Sequence, residues 1–152
     1  MTTPSSLLIA AHVICTTLGY SGLIVANFAL AVVARRQEAQ STAAAFGAVV
    51  TIERLFGPLL GVGVLLGIAT LVALHLPGSA PWLIVTYVVI VVGLALQGAV
   101  AVPFHLRHLR AAETGATFAG EDAARTATWI AIAFAAMFVL LVTLMVARPY
   151  AI

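Results

Sequence analysis

Histidine has the widest chemical scope of the residue types in this sequence, and His12 falls inside a long apolar segment. Thr16, Gly19, Tyr20 and Asn27 follow it at spacings that place them on its face of a helix, at about 100° per residue. Polar groups are costly in hydrocarbon unless they are paired, so this stripe is expected to face other helices. His12 could then ligate a cofactor, transfer a proton or make a structural hydrogen bond.

Further polar residues are expected at the same end of the molecule as His12. They are His75, Thr86, Tyr87, Thr143, Arg148 and Tyr150. Gln97 lies deeper, nearly in line with Thr86 on a helix because the two are eleven residues apart. His105 and His108 are expected at an interface, where they are solvated or contact lipid head groups.

The composition is that of a membrane protein. The 152 residues are 63% hydrophobic and 8% charged, whereas roughly a quarter of a globular domain is charged. The basic residues are all arginines and lie far apart, which excludes a nucleic-acid-binding surface. A single cysteine, Cys15, excludes a disulfide framework and a cysteine-based metal site. Soluble-enzyme motifs such as a phosphate loop, a nucleophile elbow or His-Glu-x-x-His are missing.

Four apolar stretches are long enough to cross about 30 Å of hydrocarbon at about 1.5 Å per residue. They cover residues 7–34, 55–76, 82–104 and 128–147. The predicted fold is therefore all-α, a polytopic membrane protein forming an antiparallel four-transmembrane-helix bundle, with residues 1–152 as one domain. The apolar segment between Arg36 and Arg54 is expected to form an interfacial helix or to extend helix 2. With these bounds no Asp or Glu lies within a span, which argues against ion-coupled transport.

The arginines also predict the orientation in the membrane. Six of the seven flank the first and third connections, and Arg148 lies on the opposite side. Because short cytoplasmic loops retain positive charge, both termini are predicted on the non-cytoplasmic side. The first span is expected to be retained rather than cleaved as a signal peptide. Residues 77–81 are expected to form a tight external turn that joins helices 2 and 3 in direct antiparallel contact.

Glycines are expected to set the helix packing, because small residues allow close backbone approach within a chain or in a homo-oligomer. Two pairs spaced four residues apart lie in helix 2, and helices 1 and 3 contain candidate partners. The pairs are Gly57 with Gly61 and Gly63 with Gly67, and the partners are Gly19, Gly22 and Gly93.

Three groups of residues form a pattern that extends over nearly the whole chain. His12 precedes Gly22-Leu23 by ten residues, Arg54-Leu55 is followed by Pro58 and Gly67, and a Val-rich helix ends at Arg148-Pro149-Tyr150. This pattern resembles the HemJ-type protoporphyrinogen oxidases and the CopD-type copper-resistance proteins. It is most similar to a neighbouring bacterial family of predicted integral membrane proteins without assigned function.

The resemblance implies a bacterial inner-membrane protein that binds haem b through His12, since HemJ-type proteins use the histidine of helix 1. His75 is the candidate second ligand, and Thr86, Gln97 and Arg148 are the candidate pocket residues. Thr86 stands where the HemJ-type family has a lysine, and Gln97 where it has a later histidine. The oxidase activity is therefore not carried over.

The interpretation is a haem-binding or redox role centred on His12, with the lipid bilayer as partner and no metal beyond haem iron. A non-enzymatic structural or accessory subunit of a larger membrane complex is an alternative, in which His12 makes a structural hydrogen bond. A transporter of a small solute or metal is a further alternative.

Overall fold

The computed structural model describes residues 4–36, 39–114 and 120–146, and these residues form helices. The helices are α1 (Pro4–Arg35), α2 (Ala39–Ala73), α3 (Pro81–Ala95), a π-helical turn (Leu96–Ala101), α4 (Val102–Glu113) and α5 (Gly120–Val146). Because α3, the π turn and α4 are continuous, the described residues contain four helices long and apolar enough to cross a membrane. Large apolar side chains cover the outer surface; Leu65, for example, is 67% exposed. The predicted all-α, membrane-spanning fold is confirmed.

Helix α2 begins far ahead of the span predicted at residue 55, because the apolar segment before Arg54 is part of the helix. Of the two expected forms of this segment, the extension of helix 2 is the observed one. Its residues Phe46, Val49 and Val50 are buried. The Phe46 ring lies 5.9 Å from the Phe104 ring on α4. Packing against α4 therefore stabilises the extension.

Helix α1 is the centre of the bundle and packs along α2 and α5. Its polar stripe faces inward as predicted, with Gly19, Tyr20 and Asn27 buried. Four glycines allow α1 and α2 to approach closely, since a Cβ at each would lie within 3.0 Å of an atom on the other helix. The contacts are Gly19 on Leu60, Gly22 on Phe56, Gly63 on Thr16 and Gly67 on His12.

Two expected contacts are not formed. A Cβ at Gly57 or Gly61 would meet no atom of the described residues within 4 Å, so these glycines are not packing contacts in that part of the chain. Helices α2 and α3 have few direct contacts, because α3 packs on α5 while α2 packs on α4. The prediction of a closely packed hairpin of helices 2 and 3 is therefore wrong near the turn, where the two helices diverge.

Candidate functional site

A cavity of about 440 Å³ lies between α1, α2, α3 and α5, where α2 and α3 diverge. This volume is in the range of small-molecule sites, roughly 300–1,000 Å³. Its walls are largely apolar. Gly57 and Leu71 both line it, and their fourteen-residue separation on α2 indicates a length of at least about 21 Å. The cavity is therefore long and narrow, parallel to the helices.

Three of the five predicted site residues line this cavity, namely His12, Thr86 and Gln97. His75 does not line it and lies exposed in the turn after α2, with a φ of 52°. Arg148 lies outside the described residues. The structure therefore brings together only part of the predicted pocket, and it separates His75 from His12.

His12 is half-buried in the wall of the cavity, and its imidazole is held by the backbone of α2. Its Nδ1 lies 2.6 Å from the carbonyl oxygen of Gly63. Because a carbonyl oxygen only accepts, Nδ1 carries a proton and donates; in the neutral imidazole the lone pair is then on Nε2. Gly67 makes room for the ring, since a Cβ there would lie 2.9 Å from His12 Cε1. His12 is thus oriented with Nε2 chemically available to a metal or a hydrogen-bond donor.

Thr86 contributes to the wall of the cavity, and its hydroxyl is already used within its own helix. The Thr86 hydroxyl donates to the carbonyl of Trp82 at 2.8 Å. An intrahelical bond of this kind satisfies a hydroxyl in an apolar environment. Thr86 therefore shapes the cavity and has no proton left to donate into it.

A buried polar cluster, which was not predicted, lies at the end of the cavity where Gln97 is part of the lining. It consists of Asn27, Glu53, Gln97 and His105. Glu53 Oε1 lies 2.9 Å from His105 Nδ1 and 2.9 Å from Gln97 Nε2. His105 Nε2 lies 3.0 Å from Asn27 Oδ1. Glu53 is 7% exposed and His105 is fully buried.

Two sequence-based expectations are wrong at this cluster. His105 was expected at an interface, but α4 turns it into the protein interior. Glu53 was placed outside the spans, but the early start of α2 puts it within that helix and against α4. The absence of a buried carboxylate, which argued against ion-coupled transport, therefore no longer holds.

The direction of each hydrogen bond in the cluster follows from one backbone carbonyl. Leu23 O must accept, so the Asn27 amide nitrogen donates to it, at 2.9 Å, and Asn27 Oδ1 is an acceptor. His105 then has an acceptor on each side, Asn27 Oδ1 and the Glu53 carboxylate. A doubly protonated imidazole beside an ionised Glu53 would satisfy both, and so would a neutral imidazole that donates to Asn27 and accepts from a protonated Glu53; either pair carries no net charge.

The π turn aligns the two residues of the third long helix that bond to Glu53. Gln97 and His105 are eight residues apart, so on a regular α-helix they would differ by about 80° in direction. The Val102 N–H bonds to the Gln97 carbonyl, five residues back, which widens the helix locally and reduces this angle. Pro103 explains the widening, because its ring clashes with the carbonyl four residues back in a regular helix.

One sequence signal could have revealed Glu53. Phe46, Val50, Glu53, Gly57 and Leu60 recur every three or four residues, the spacing of an inward-facing helix side. Extending helix 2 through the apolar segment would have placed Glu53 on that side. The partners of Glu53 have no comparable signal, because they are distant in sequence.

One protein family covers nearly all of the described bundle. The family described as "Predicted integral membrane protein (DUF2269)" matches residues 6–149. This range includes His12, the cavity and the whole polar cluster. No curated protein and no solved structure matches the chain. The chain belongs to the DUF2269 family of predicted integral membrane proteins.

Proposed function

We propose that the protein binds haem at the cavity, with His12 as the axial ligand of the iron, and has a redox role. The observation that carries this proposal is the hydrogen bond from His12 Nδ1 to the Gly63 carbonyl. Metal-ligating histidines usually donate their other ring N–H to a carbonyl or carboxylate, which fixes the tautomer and the ring orientation. Bound haem would supply one-electron redox chemistry.

The surroundings of His12 fit an iron porphyrin. The cavity has apolar walls suited to a flat macrocycle, and the neutral imidazole with its lone pair on Nε2 is the form that ligates iron. The resemblance to HemJ-type proteins supports the same assignment. His75 does not line the cavity, so we propose His12 as the single histidine ligand.

The visible absorption spectrum tests this proposal. Protein expressed with ample haem should show a Soret band, and His12→Ala should lose or shift it. His75→Ala is the matched control and should keep the band, because His75 is exposed and lies outside the cavity lining.

A colourless wild-type protein would contradict the haem proposal, and so would an unchanged spectrum of His12→Ala. If His12→Ala of a colourless protein loses only stability, by about 1 kcal/mol, the structural or accessory role is favoured. In that role the open space beyond Gly61 would suit a helix of a second subunit.

We also infer a bacterial inner-membrane location with both termini on the non-cytoplasmic side. The arginines that support this orientation are exposed; they are Arg35, Arg36, Arg54, Arg107, Arg110 and Arg125. Alkaline phosphatase, which is active only outside the cytoplasm, should be active when fused after Gly78 and inactive when fused after Glu113. The opposite pair of activities would reverse the topology.

A further inference from the structure

We propose that the end of the cavity next to the polar cluster binds an uncharged apolar molecule that carries a hydroxyl or N–H group. Gln97 Oε1 would accept the hydrogen bond of that group. This binding position is separate from the iron site proposed at His12. Glu53, to which Gln97 is bonded, lies fourteen residues from Gly67 on α2, and Gly67 contacts His12. At about 1.5 Å per residue Glu53 and Gly67 are about 21 Å apart along α2.

The Gln97 side chain contains an unused acceptor. Gln97 lines the cavity, and its Oε1 is buried without a hydrogen-bond partner among the described residues. A buried polar atom without a partner is destabilising, and native proteins seldom retain one. Oε1 itself is covered by neighbouring atoms, so a ligand's donor reaches it only when those neighbours shift, but no existing hydrogen bond to Oε1 has to be broken.

The polar cluster determines that Gln97 presents its oxygen rather than its nitrogen. The Glu53 carboxylate accepts, so the amide nitrogen of Gln97 must face it. Glu53 is held in turn by His105, and His105 by Asn27. Reversing the Gln97 amide would place two acceptor oxygens against each other. The orientation of the amide is therefore fixed, with its nitrogen on Glu53 and its oxygen as the unused acceptor.

The chemistry of the site selects a neutral donor. A charged group at this end of the cavity would have to be desolvated among largely apolar walls. A carboxylate would in addition face an acceptor oxygen. Glu53 and His105, the ionisable pair at this end, are hydrogen-bonded to each other, so neither is left to pair with a charge on the ligand. A phenol, an alcohol or a neutral N–H group on an apolar body fits these conditions.

Two matched probes test the proposal in lipid nanodiscs, by isothermal titration calorimetry with empty nanodiscs as the blank. The probes are 2-naphthol, which has a hydroxyl donor, and 2-methoxynaphthalene, which has the same ring system without the donor. The wild-type protein should bind 2-naphthol about tenfold more tightly. In Gln97→Met, which keeps the length but not the acceptor, the two affinities should become equal, with that of 2-methoxynaphthalene unchanged.

Gln40→Met is the matched control, since Gln40 is exposed on α2 outside the cavity; it should keep the tenfold preference. Equal affinities in the wild-type protein would overturn the proposal without any variant, and so would a preference that persists in Gln97→Met. The readout does not involve the Soret band, so this proposal and the haem proposal can fail independently.

Discussion

Replacing Glu53 with leucine is expected to lower the free energy of unfolding by about 3–5 kcal/mol, because it removes one partner of a buried, hydrogen-bonded pair of ionisable groups. His105 Nδ1 would lose its acceptor while the ring stays fully buried. Gln97 Nε2 would lose its acceptor at the same time. Equilibrium unfolding with SDS in mixed micelles measures the change.

Glu121→Leu is the control for this substitution. Glu121 is exposed in the first turn of α5, so its replacement should change the free energy of unfolding by less than about 0.5 kcal/mol. If Glu53→Leu were as mild as Glu121→Leu, Glu53 and His105 would not form a buried pair.

Glu53→Gln tests how much the charge of Glu53 contributes to stability, because glutamine keeps the size and shape of the side chain. The amide oxygen of glutamine can still accept from Gln97 and His105, but the charge that favours a doubly protonated His105 is gone. A neutral imidazole that donates from Nε2 to Asn27 must accept at Nδ1, so the new amide has to turn its nitrogen toward His105 and its oxygen toward Gln97. The expected loss is smaller, about 1–3 kcal/mol. If Glu53→Gln lowered the free energy of unfolding as much as Glu53→Leu, the hydrogen bonds that glutamine can still form would contribute little to stability.

The features of this fold that follow from local spacing could be predicted from the sequence. The polar stripe of α1 is one example, since His12, Thr16, Gly19, Tyr20 and Asn27 obey the helical period and do face inward. The apolar stretches predicted four long helices for the same reason. In both cases the information lies within a single helix.

The features that depend on contacts between helices could not be predicted. His12 bonds to Gly63, and Glu53 bonds to His105, across 51 and 52 residues of sequence respectively. The predicted start of the second span at residue 55 was wrong, because the charged Arg54 was expected to mark the end of a span. Arg54 is in fact exposed on the outer side of α2, while the preceding Glu53 points inward. Adjacent residues on a helix differ by about 100° in direction, so one can be solvated while the other is buried.

The glycine contacts between α1 and α2 lead to the second large effect. Gly19→Ala should lower the free energy of unfolding by about 1–3 kcal/mol through overpacking. The new Cβ would lie 2.7 Å from Leu60 Cγ and Cδ2, and 3.2 Å from the Leu60 backbone nitrogen. A rotation of the leucine side chain can relieve the first contacts but not the one to the backbone. The two helices must therefore separate along the region of closest approach.

Gly61→Ala is the matched control, because it makes the same chemical change on α2 where nothing lies within 4 Å. Alanine favours a helix over glycine by up to about 1 kcal/mol, so this variant should be neutral or slightly more stable than the wild-type protein. The same propensity gain applies at Gly19 and is outweighed there by the clash. Opposite signs for the two variants in the same SDS unfolding assay would establish that packing, not propensity, requires glycine at position 19. A stabilised Gly19→Ala would show that α1 and α2 lie further apart at this point than the contacts of Gly19 with Leu60 indicate.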